Sequence, residues 1–511
     1  MTSFFGNGFF GSGRFCATRE NFMRRQPDLA AAGLGLVSAL ALPPLHVIPV
    51  LLVAIPGLLR LLQNTSGPRQ ALRRGWWFGF GHHVIGLYWI TEAILVEAAR
   101  FWWLVPLAVP ALAAVLALFI AAPVAAARLL PEGWSRAFGL AGAWVLADLA
   151  RQFFLTGFPW NPWGSVWALP GPAGDLLLQP AALIGVHGLT LVTLLLAAAP
   201  TLGRRGAIFA VCLLAVWLGT GAVRLSGPEP AAPGLLVVLA QGNVEQEKKW
   251  DQARAIAIFD RYLDLTAQGL AQAGARPAVV VWPETASPFQ LATDLAARLT
   301  IAEAAGGHTV LAGSVRFDTE GRPRNSLIPV LPNGALGKIY DKWHLVPFGE
   351  YQPDWFPLPI QVVPGGGFAA GPGPRTILVP GLPPFGPLIC YEAIFPEEII
   401  DRADRPAWLV NVTNDAWFGQ STGPYQHLAA ARLRAAEEGI PLVRAANTGI
   451  SAIFDAKGRE QGRLQLGITG FLVRELPGPL PPGPFARWGL AIPALLALGA
   501  GMMGIAFGRR L

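Results

Sequence analysis

The sequence predicts a multi-pass α-helical membrane domain joined to a layered α/β domain. Hydrophobic residues make up 53% and charged residues 14% of the 511 residues, whereas charged residues form about a quarter of an ordinary soluble protein. Long uncharged runs are confined to residues 28–224 and 488–508. Residues 234–475 between them have the composition of a globular domain and are numerous enough to form a core of their own.

Eight apolar segments approach or exceed the roughly 20 residues that a helix needs to cross a bilayer. They are residues 28–44, 46–62, 75–96, 101–127, 137–155, 180–200, 206–224 and 488–508, and the first two are the shortest. The predicted division is an N-terminal tail 1–27, a seven-span domain 28–224, the α/β domain 234–475, a linker 476–487 and a last span 488–508.

Arginines predict the orientation of these segments. They cluster in the N-terminal tail, after the second, fourth and sixth segments, and at the C-terminus. If all eight segments span, these clusters share one side, which the positive-inside rule makes cytoplasmic. The α/β domain then lies outside the cytoplasm, in the periplasm of a bacterium with two membranes. The net charge of +7 follows from this topology, and no basic stripe with interleaved aromatic residues indicates nucleic-acid binding.

One loop on the same side as the α/β domain, residues 156–164, is uncharged and rich in Trp, Pro and Gly. Aromatic rings favour the membrane–water interface, so the loop is either an interfacial anchor or a wall of a lipid-facing cavity. Just before it, Asp148 and Arg151 are one helical turn apart, which is the spacing of an ion pair.

The α/β domain alternates short β-branched runs with helical stretches, which predicts buried strands covered by helices. The predicted strands are 235–240, 278–282, 309–314, 325–331, 376–379, 385–389, 408–412, 441–445 and 451–454, and the predicted helices are 251–273 and 424–438. A Pro- and Gly-rich stretch at 353–374 carries several large apolar side chains. It is either a hydrophobic lid that reaches the bilayer or an ordinary proline-stiffened loop.

Cys390 is the single cysteine of the α/β domain. Cys16 lies in the N-terminal tail and Cys212 in an apolar segment, so Cys390 has no evident disulfide partner. It directly follows the predicted strand 385–389. An unpaired cysteine at the end of a strand is either an inert buried residue or a nucleophile.

A nucleophilic Cys390 requires a base or a cation nearby, because the thiolate is the reactive form of cysteine. Glu284, which follows an apolar strand and Trp-Pro, is a candidate base. Lys342 is a cation that can hold the charge of a tetrahedral intermediate, helped by a backbone N–H after Cys390. His344 and His427 are either further contributors or structural hydrogen-bonding residues.

The order and spacing of these residues resemble the Glu–Lys–Cys signature of the nitrilase superfamily. The motifs are Trp-Pro-Glu at 282–284, Tyr-x-Lys-x-His-Leu at 340–345 and Ile-Cys-Tyr-Glu at 389–392. With seven apolar segments before the domain and one after it, the chain is similar to the apolipoprotein N-acyltransferases, a membrane-bound family of that superfamily. Further matching motifs lie at 241–243, 344–351, 414–419, 423–427 and 444–449.

The resemblance implies an α-β-β-α sandwich in which Cys390 is the nucleophile, Glu284 the general base and Lys342 the oxyanion stabiliser. The Tyr-x-Lys-x-His-Leu motif selects Lys342 over Lys338. From the residues alone, Glu392 is a concern, because a carboxylate beside a thiolate raises the pKa of the thiol unless Lys342 compensates. The resemblance also implies supporting residues and substrate-binding residues, namely Glu350 and Glu392, and Trp250, Tyr391 and Trp417.

The implied activity moves an acyl chain from a phospholipid to Cys390 as a thioester, and then to the α-amino group of the lipid-modified N-terminal cysteine of an apolipoprotein. This is the final step of bacterial lipoprotein maturation. The implied partners are a phospholipid donor, a diacylglyceryl-modified apolipoprotein acceptor and the bilayer of the inner membrane, and we expect a monomer without a cofactor. The sequence shows neither a His/Cys cluster with metal-ligand spacing nor a phosphate-binding glycine motif.

Two alternatives use the same features differently. A membrane-tethered amidase or nitrile hydrolase would direct the three groups at a soluble amide, with water as the final nucleophile. A transporter whose α/β domain only binds a ligand would carry charged residues inside several spans, and the apolar segments contain few.

Overall fold

The computed structural model describes residues 26–96, 98–249, 252–356 and 367–509. The part before the α/β domain is helical. Its helices are α1 (Pro27–Ser38), α2 (Leu51–Gln63), α3 (Pro68–Gly86), α4 (Ile90–Leu95), α5 (Ala98–Phe101), α6 (Val105–Leu116), α7 (Leu118–Arg128), α8 (Trp134–Phe153), α9 (Gly171–Leu178), α10 (Ala181–Ala198) and α11 (Gly203–Ser226). The α/β part contains α12 (Ala255–Ala273), α13 (Leu295–Ala304) and α14 (Gly423–Glu438), and the chain ends with α15 (Pro484–Trp488) and α16 (Ala491–Gly508).

Each of the eight predicted apolar segments overlaps at least one of these helices. Within the described residues, three helical stretches, Ala98–Arg128, Ala181–Ser226 and Ala491–Gly508, are long and apolar enough to cross a membrane. Pro27–Ala41 and Ile48–Gln63 are shorter apolar helices. The helical and apolar character of this part is therefore confirmed. The number of spans, their boundaries and their orientation stay predictions.

The α/β part is a sandwich of two sheets. Its strands are β1 (Leu236–Gln241), β2 (Ala278–Val281), β3 (Thr309–Phe317), β4 (Pro323–Val330), β5 (Tyr340–Asp341), β6 (Phe385–Ile389), β7 (Trp408–Thr413), β8 (Leu442–Ala446), β9 (Ser451–Phe454), β10 (Glu460–Leu464) and β11 (Gly470–Glu475). One sheet has the order β11-β1-β2-β3-β4-β5 and the other β10-β9-β8-β7-β6. Strands β1 to β3 are parallel, as are β6 to β8, and the remaining pairs are antiparallel.

The alternation of side chains along the strands produces the layers. Val237 and Val279 face the second sheet and pack with Val410 of β7 in the core between the sheets. Val238 and Val280 face the opposite way and pack in a cluster that includes residues of α12. Because both faces of each sheet are covered, these strands are continuous apolar runs. The predicted fold class, a helical part with an α-β-β-α sandwich, is confirmed.

Helix α14 covers the second sheet and also contacts the helical part of the protein. Leu428 and Ala431 pack in the same cluster as residues of β6, β7 and β8. The side-chain oxygen of Gln426 accepts hydrogen bonds from the indole N–H groups of Trp89 (3.0 Å) and Trp160 (2.8 Å). The start of this helix therefore joins the sandwich to two segments of the helical part.

The other end of α14 meets a break in α10. Gly185 has a φ of +66°, a left-handed value that favours glycine. The backbone N–H of Val186 donates a hydrogen bond to the carboxylate of Glu437 at 2.7 Å. Earlier on the same helix, Arg432 pairs with Asp175 at 2.6 Å. Buried polar contacts on one helix thus hold the two parts of the protein together.

The ion pair predicted in α8 is present, with Arg151 Nη2 3.1 Å from Asp148 Oδ1. The predicted strand at 376–379 is wrong. Only Ile377 forms a bridge there, because prolines flank this run and Leu378 is 67% exposed. The other predicted strands and both predicted helices are confirmed, with unchanged bounds for 385–389 and 451–454 and shifted ends for the rest. Strands β5, β10 and β11 and helix α13 were not predicted.

Candidate active site

Cys390 lies at a sharp turn between a strand and a short helix. Strand β6 ends at Ile389, and Cys390 opens the 3₁₀ turn Cys390–Ile394 with a φ of +50°. A positive φ is uncommon for a residue with a side chain and persists where the surroundings enforce it. The side chain is buried, whereas Cys212 is exposed in α11. The turn therefore presents a single buried thiol at the end of the second sheet.

Glu284 approaches from the first sheet. Its loop follows β2 and passes over Gly313 of β3, where a Cβ would lie 2.2 Å from the carbonyl oxygen of Pro283. Glycine permits this close approach because it has no side chain. The Nδ2 atom of Asn325 then donates to Glu284 Oε1 at 2.6 Å, which orients the carboxylate.

Lys342 follows β5, and its side chain is 1% exposed. Its Nζ lies 2.8 Å from Glu350 Oε2 and 3.6 Å from Glu284 Oε1. Asn325 Nδ2 also donates to Glu350 Oε1 at 3.1 Å, so these four side chains form one network. Burial alone would lower the pKa of Lys342, but Glu350, Glu284 and Cys390 raise it above its usual value. The ammonium group is therefore charged at neutral pH.

The electrostatics around Cys390 favour a neutral thiol at rest. Burial raises the pKa of the Cys390 thiol, Glu284 raises it further, and Lys342 opposes both effects. Moving the proton from Cys390 to Glu284 leaves the net charge of the buried group unchanged, so the thiolate forms at the lowest cost by this transfer. The arrangement can therefore generate a nucleophile beside a cation.

Glu392 joins the segment that carries Lys342 to the turn that carries Cys390. Its Oε1 accepts hydrogen bonds from Tyr340 Oη at 3.0 Å and from the backbone N–H of Trp343 at 2.8 Å, and its Oε2 accepts one from the N–H of Ile389 at 2.6 Å. The carboxylates that raise the pKa of the thiol are Glu284 and Asp415. The Glu392 carboxylate instead accepts hydrogen bonds from the backbone N–H groups of Trp343 and Ile389.

The titration of Glu392 is expected to appear in the pH dependence of stability. Burial raises its pKa from 4.5 to about 7, against the lowering effect of the Ile389 and Trp343 hydrogen bonds. Because the pKa is raised in the folded state, protonated Glu392 stabilises the protein. This contribution is fully present below the pKa of the unfolded chain and is lost as the pH rises through about 7. We expect Glu392 to contribute roughly 3 kcal/mol at pH 4.5 and little at pH 8.

Apparent unfolding midpoints of the detergent-solubilised protein between pH 4.5 and 8 check this expectation. Glu392→Gln, which cannot titrate, should show a smaller fall than the unmodified protein over that interval. Glu303→Gln, an exposed change on α13, is the matched control and should follow the unmodified protein. Equal slopes for all three proteins would contradict the assignment.

The loop 156–164 of the helical part borders the site. Tyr391 donates its hydroxyl to the carbonyl oxygen of Gly157 at 2.9 Å, and a ring nitrogen of His344 lies 3.1 Å from the carbonyl oxygen of Thr156. Trp160 is buried in an apolar cluster that also contains Tyr391 and residues of α4 and α6. These contacts pack the loop against the turn that carries Cys390, and the choice between an interfacial anchor and a cavity wall stays a prediction.

The structure brings most of the predicted site residues together. Glu284, Lys342, Glu350, Cys390 and Glu392 form the connected group described above. Tyr391 is buried directly beside Cys390, and Trp417 is half-buried in the turn Asp415–Phe418. The rival lysine, Lys338, is exposed, which supports the choice of Lys342. Trp250 and residues 357–366 of the proposed lid lie outside the described residues.

Two residues near Glu284 were not found from the sequence. Asn325 bridges Glu284 and Glu350, and Lys249 donates from Nζ to the backbone oxygen of Glu284 at 3.0 Å. Burial lowers the pKa of Lys249 to about 8, while Glu284 and Cys390 act in the opposite direction. Lysine and asparagine are ordinarily exposed, so only the tertiary structure distinguishes Lys249 in its turn and Asn325 in β4.

Cys390, Asp415 and His427 offer donor atoms within 4.8 Å of one another, a spacing that a metal ion could use. However, Arg444 Nη2 lies 2.6 Å from Asp415 Oδ2 and places a positive charge at the carboxylate. Asp415 Oδ1 is 2.9 Å from His427 Nδ1. These donors already occupy the carboxylate, so the group is better suited to hydrogen bonding than to binding a cation.

A two-sheet sandwich with Glu, Lys and Cys converging at the ends of its strands defines a carbon–nitrogen hydrolase domain of the nitrilase type. The family model "Carbon-nitrogen hydrolase" matches residues 236–477, and "Apolipoprotein N-acyltransferase N-terminal domain" matches residues 34–199. Among solved structures, an amidase from Nesterenkonia sp. is 20% identical with a TM-score of 0.37, over 49% of this chain and 94% of its own. Nit3 of Saccharomyces cerevisiae is 18% identical with a TM-score of 0.37, over 48% and 90%.

Relatives named apolipoprotein N-acyltransferase are similar over nearly the whole chain. The protein from Rhodopseudomonas palustris is 39% identical, over 93% of this chain and 94% of its own. Those from Bradyrhizobium diazoefficiens and Brucella melitensis are each 40% identical over 93% of this chain, and cover 94% and 95% of their own lengths. The chain belongs to the apolipoprotein N-acyltransferase family.

Proposed function

We propose that this protein transfers an acyl chain from a phospholipid, through a thioester on Cys390, to the α-amino group of a lipid-modified N-terminal cysteine of an apolipoprotein. Family membership supports the reaction class. The observation that carries the proposal is the position of the thiol: the charges of Glu284 and Lys342 act on Cys390, and the next residue, Tyr391, packs in an aromatic cluster with residues of the apolar helical part. Both substrates are anchored in the bilayer, so a site bordered by apolar aromatic side chains suits their acyl chains.

In the first half-reaction, the Cys390 sulfur attacks the ester carbonyl carbon of the phospholipid while the thiol proton passes to Glu284. Lys342 and a backbone N–H after Cys390 stabilise the negative charge on the carbonyl oxygen. The tetrahedral intermediate collapses and breaks the ester C–O bond. Glu284 then returns the proton to the departing oxygen, so a lysophospholipid leaves and the thioester remains.

In the second half-reaction, the α-amino nitrogen of the acceptor attacks the thioester carbon and passes a proton to Glu284. The C–S bond breaks, an amide forms, and the proton restores the Cys390 thiol. The two substrates bind in turn, as expected for a covalent intermediate. Glu350 and Glu392 support the reaction indirectly: Glu350 binds Lys342, and Glu392 holds the backbone on both sides of the site.

We further propose that the protein lies in the bacterial inner membrane with the sandwich in the periplasm. The arginine clusters of the sequence support this orientation through the positive-inside rule. On this side of the membrane, the site faces the compartment in which an exported, lipid-modified protein presents its N-terminus.

Mass spectrometry of the full-length protein in phospholipid vesicles tests the proposal. We expect a mass increase of one acyl chain, mapped after digestion to the peptide of Cys390 rather than that of Cys212. Adding a diacylated lipopeptide with a free N-terminal amine should discharge the adduct and produce a triacylated peptide.

The matched control is the same lipopeptide with an acetylated N-terminus, which should leave the adduct in place. An adduct that water removes as fast as the amine does would instead favour the hydrolase alternative. The complete lack of an adduct in a correctly folded preparation would contradict the thioester mechanism.

A further inference from the structure

A chain of buried polar side chains lies directly behind the nucleophile. His427 Nε2 is 3.0 Å from the carbonyl oxygen of Cys390, and His427 Nδ1 is 2.9 Å from Asp415 Oδ1. Arg444 Nη2 donates to Asp415 Oδ2 at 2.6 Å, and Arg444 Nη1 donates to Asn411 Oδ1 at 2.6 Å. All five residues are buried. The chain thus runs from the second sheet to the backbone of Cys390.

The charges in this chain determine where the His427 proton lies. Burial alone would raise the pKa of Asp415, but Arg444 and His427 lower it to about 2, so the carboxylate is ionised. The carbonyl oxygen of Cys390 only accepts hydrogen bonds, so Nε2 must carry hydrogen for this contact to be favourable. Nδ1 then donates to Asp415 in the imidazolium form, or accepts from Arg444 Nη2, 3.2 Å away, in the neutral form. Either form donates to Cys390.

The backbone conformation of Cys390 makes the hydrogen bond from His427 important for the position of the nucleophile. With a φ of +50°, Cys390 is in a region that residues with side chains rarely adopt. Strain of this kind persists only where surrounding contacts over-determine the backbone. Glu392 holds the N–H of Ile389 on one side of Cys390, and His427 holds the carbonyl of Cys390 itself. The two contacts restrain the peptide group that follows Cys390 and the one that joins Leu388 to Ile389, one residue before it.

We propose that His427, held by Asp415 and Arg444, is a positioning residue that fixes the main chain of Cys390 and so aims its sulfur at the acyl carbon. The proposal rests on the assignment of Cys390 as nucleophile. It goes beyond the Glu–Lys–Cys scheme, since His427 transfers no proton and contacts no substrate.

The helical part of the protein contributes to this arrangement. The Trp160 ring is 5.7 Å from the His427 ring, and its indole N–H donates to Gln426, the preceding residue of α14. The Phe418 ring also packs against both, with its centroid 6.0 Å from that of Trp160 and 6.1 Å from that of His427. His427 is therefore packed between the sandwich and the loop 156–164, and its position depends on both parts of the protein.

Two polar substitutions separate positioning from simple packing. In His427→Gln, the longer amide can donate to the Cys390 carbonyl while its oxygen accepts from Arg444. In His427→Asn, the amide reaches only the place of Nδ1, so the hydrogen bond to Cys390 is lost. Two reagents report on the outcome: a p-nitrophenyl ester, which requires aimed attack on a carbonyl, and iodoacetamide, which reports thiol reactivity and its pH profile.

We expect the ester burst to fall about 100-fold in His427→Asn, the scale of a misplacement by about 1 Å, and to return to within about 10-fold of the unmodified protein in His427→Gln. The pH midpoint and rate of Cys390 alkylation should stay unchanged in both variants. His308→Met, which removes another histidine contact to a backbone carbonyl, is the matched control and should leave both reactions unchanged.

Equal losses in the Asn and Gln variants, or parallel losses of ester and iodoacetamide reactivity, would show that His427 only fills space and would overturn the proposal. If His427→Asn does not fold, Asp415→Asn keeps His427 and removes only the charge behind it. That variant should lose ester reactivity but keep alkylation, with a lower pH midpoint because the Asp415 charge raises the pKa of the thiol. No loss of ester reactivity would again refute positioning. Because neither reagent is a phospholipid, failure of the proposed function and failure of this inference are distinguishable.

Discussion

Cys390→Ala is expected to abolish acyl transfer, with a loss of about 10⁶-fold, the scale at which removing a covalent nucleophile acts. The reason is that, among the described residues, no other thiol borders the site: Cys212 is exposed in α11, outside the sandwich. Alanine has a Cβ like cysteine, so it meets the same backbone restriction at φ +50° and should keep the turn. Turnover of phospholipid and lipopeptide in vesicles measures the loss.

Cys212→Ala is the matched control and should retain full turnover. The thermal midpoint of both variants should stay close to that of the unmodified protein, because each change removes a single sulfur atom. Residual transfer in Cys390→Ala above that of empty vesicles would contradict the covalent mechanism, and transfer lost in Cys212→Ala would point to a second reactive thiol.

Lys342→Met is expected to reduce both rate and stability. The rate of acyl-enzyme formation should fall about 10²- to 10³-fold, which is the loss expected when one group that stabilises the oxyanion is removed. The free energy of unfolding should fall by roughly 3–5 kcal/mol, because Glu284 and Glu350 lose the cation between them in a buried site. Single-turnover acylation and thermal unfolding measure the two effects.

Two further variants separate these effects. Lys342→Arg keeps the positive charge, so it should recover much of the stability, while the bulkier guanidinium should not restore the rate. Lys338→Met removes an exposed lysine four residues earlier and should change neither quantity. A normal acylation rate in Lys342→Met would contradict the role of Lys342, and an equal loss in Lys338→Met would show that the two lysines are not distinguished as proposed.

Much of the fold was predictable because its strands are covered on both faces. Strands such as β1 and β2 are unbroken apolar runs, which composition reveals directly. The run 376–379 is also apolar, but prolines flank it and its side chains include the exposed Leu378, so it forms only one bridge. Strand β10 was not predicted for the opposite reason, since its side chains are mainly polar and none of its residues is buried.

The candidate site was predictable to the extent that its residues follow strands within recognisable motifs. Glu284 and Cys390 lie after β2 and β6, where a short turn delivers a side chain to the end of a sheet. Lys249 and Asn325 lie in no such motif, and their importance arises from burial next to Glu284. The sequence indicates His427 only as a contributor or a structural hydrogen-bonding residue, because its contact with Cys390 depends on packing between distant segments.

Helix α14 is under constraint from two sides. Fourteen of its sixteen residues are buried, between the second sheet on one face and the helical part on the other. A mutation at Gln426 affects the indole groups of Trp89 and Trp160, and one at Glu437 affects the backbone of Val186. A substitution on this helix therefore acts on the helical part as well, and we expect a sandwich exchanged between distant homologues to function only when its partner segments are exchanged with it.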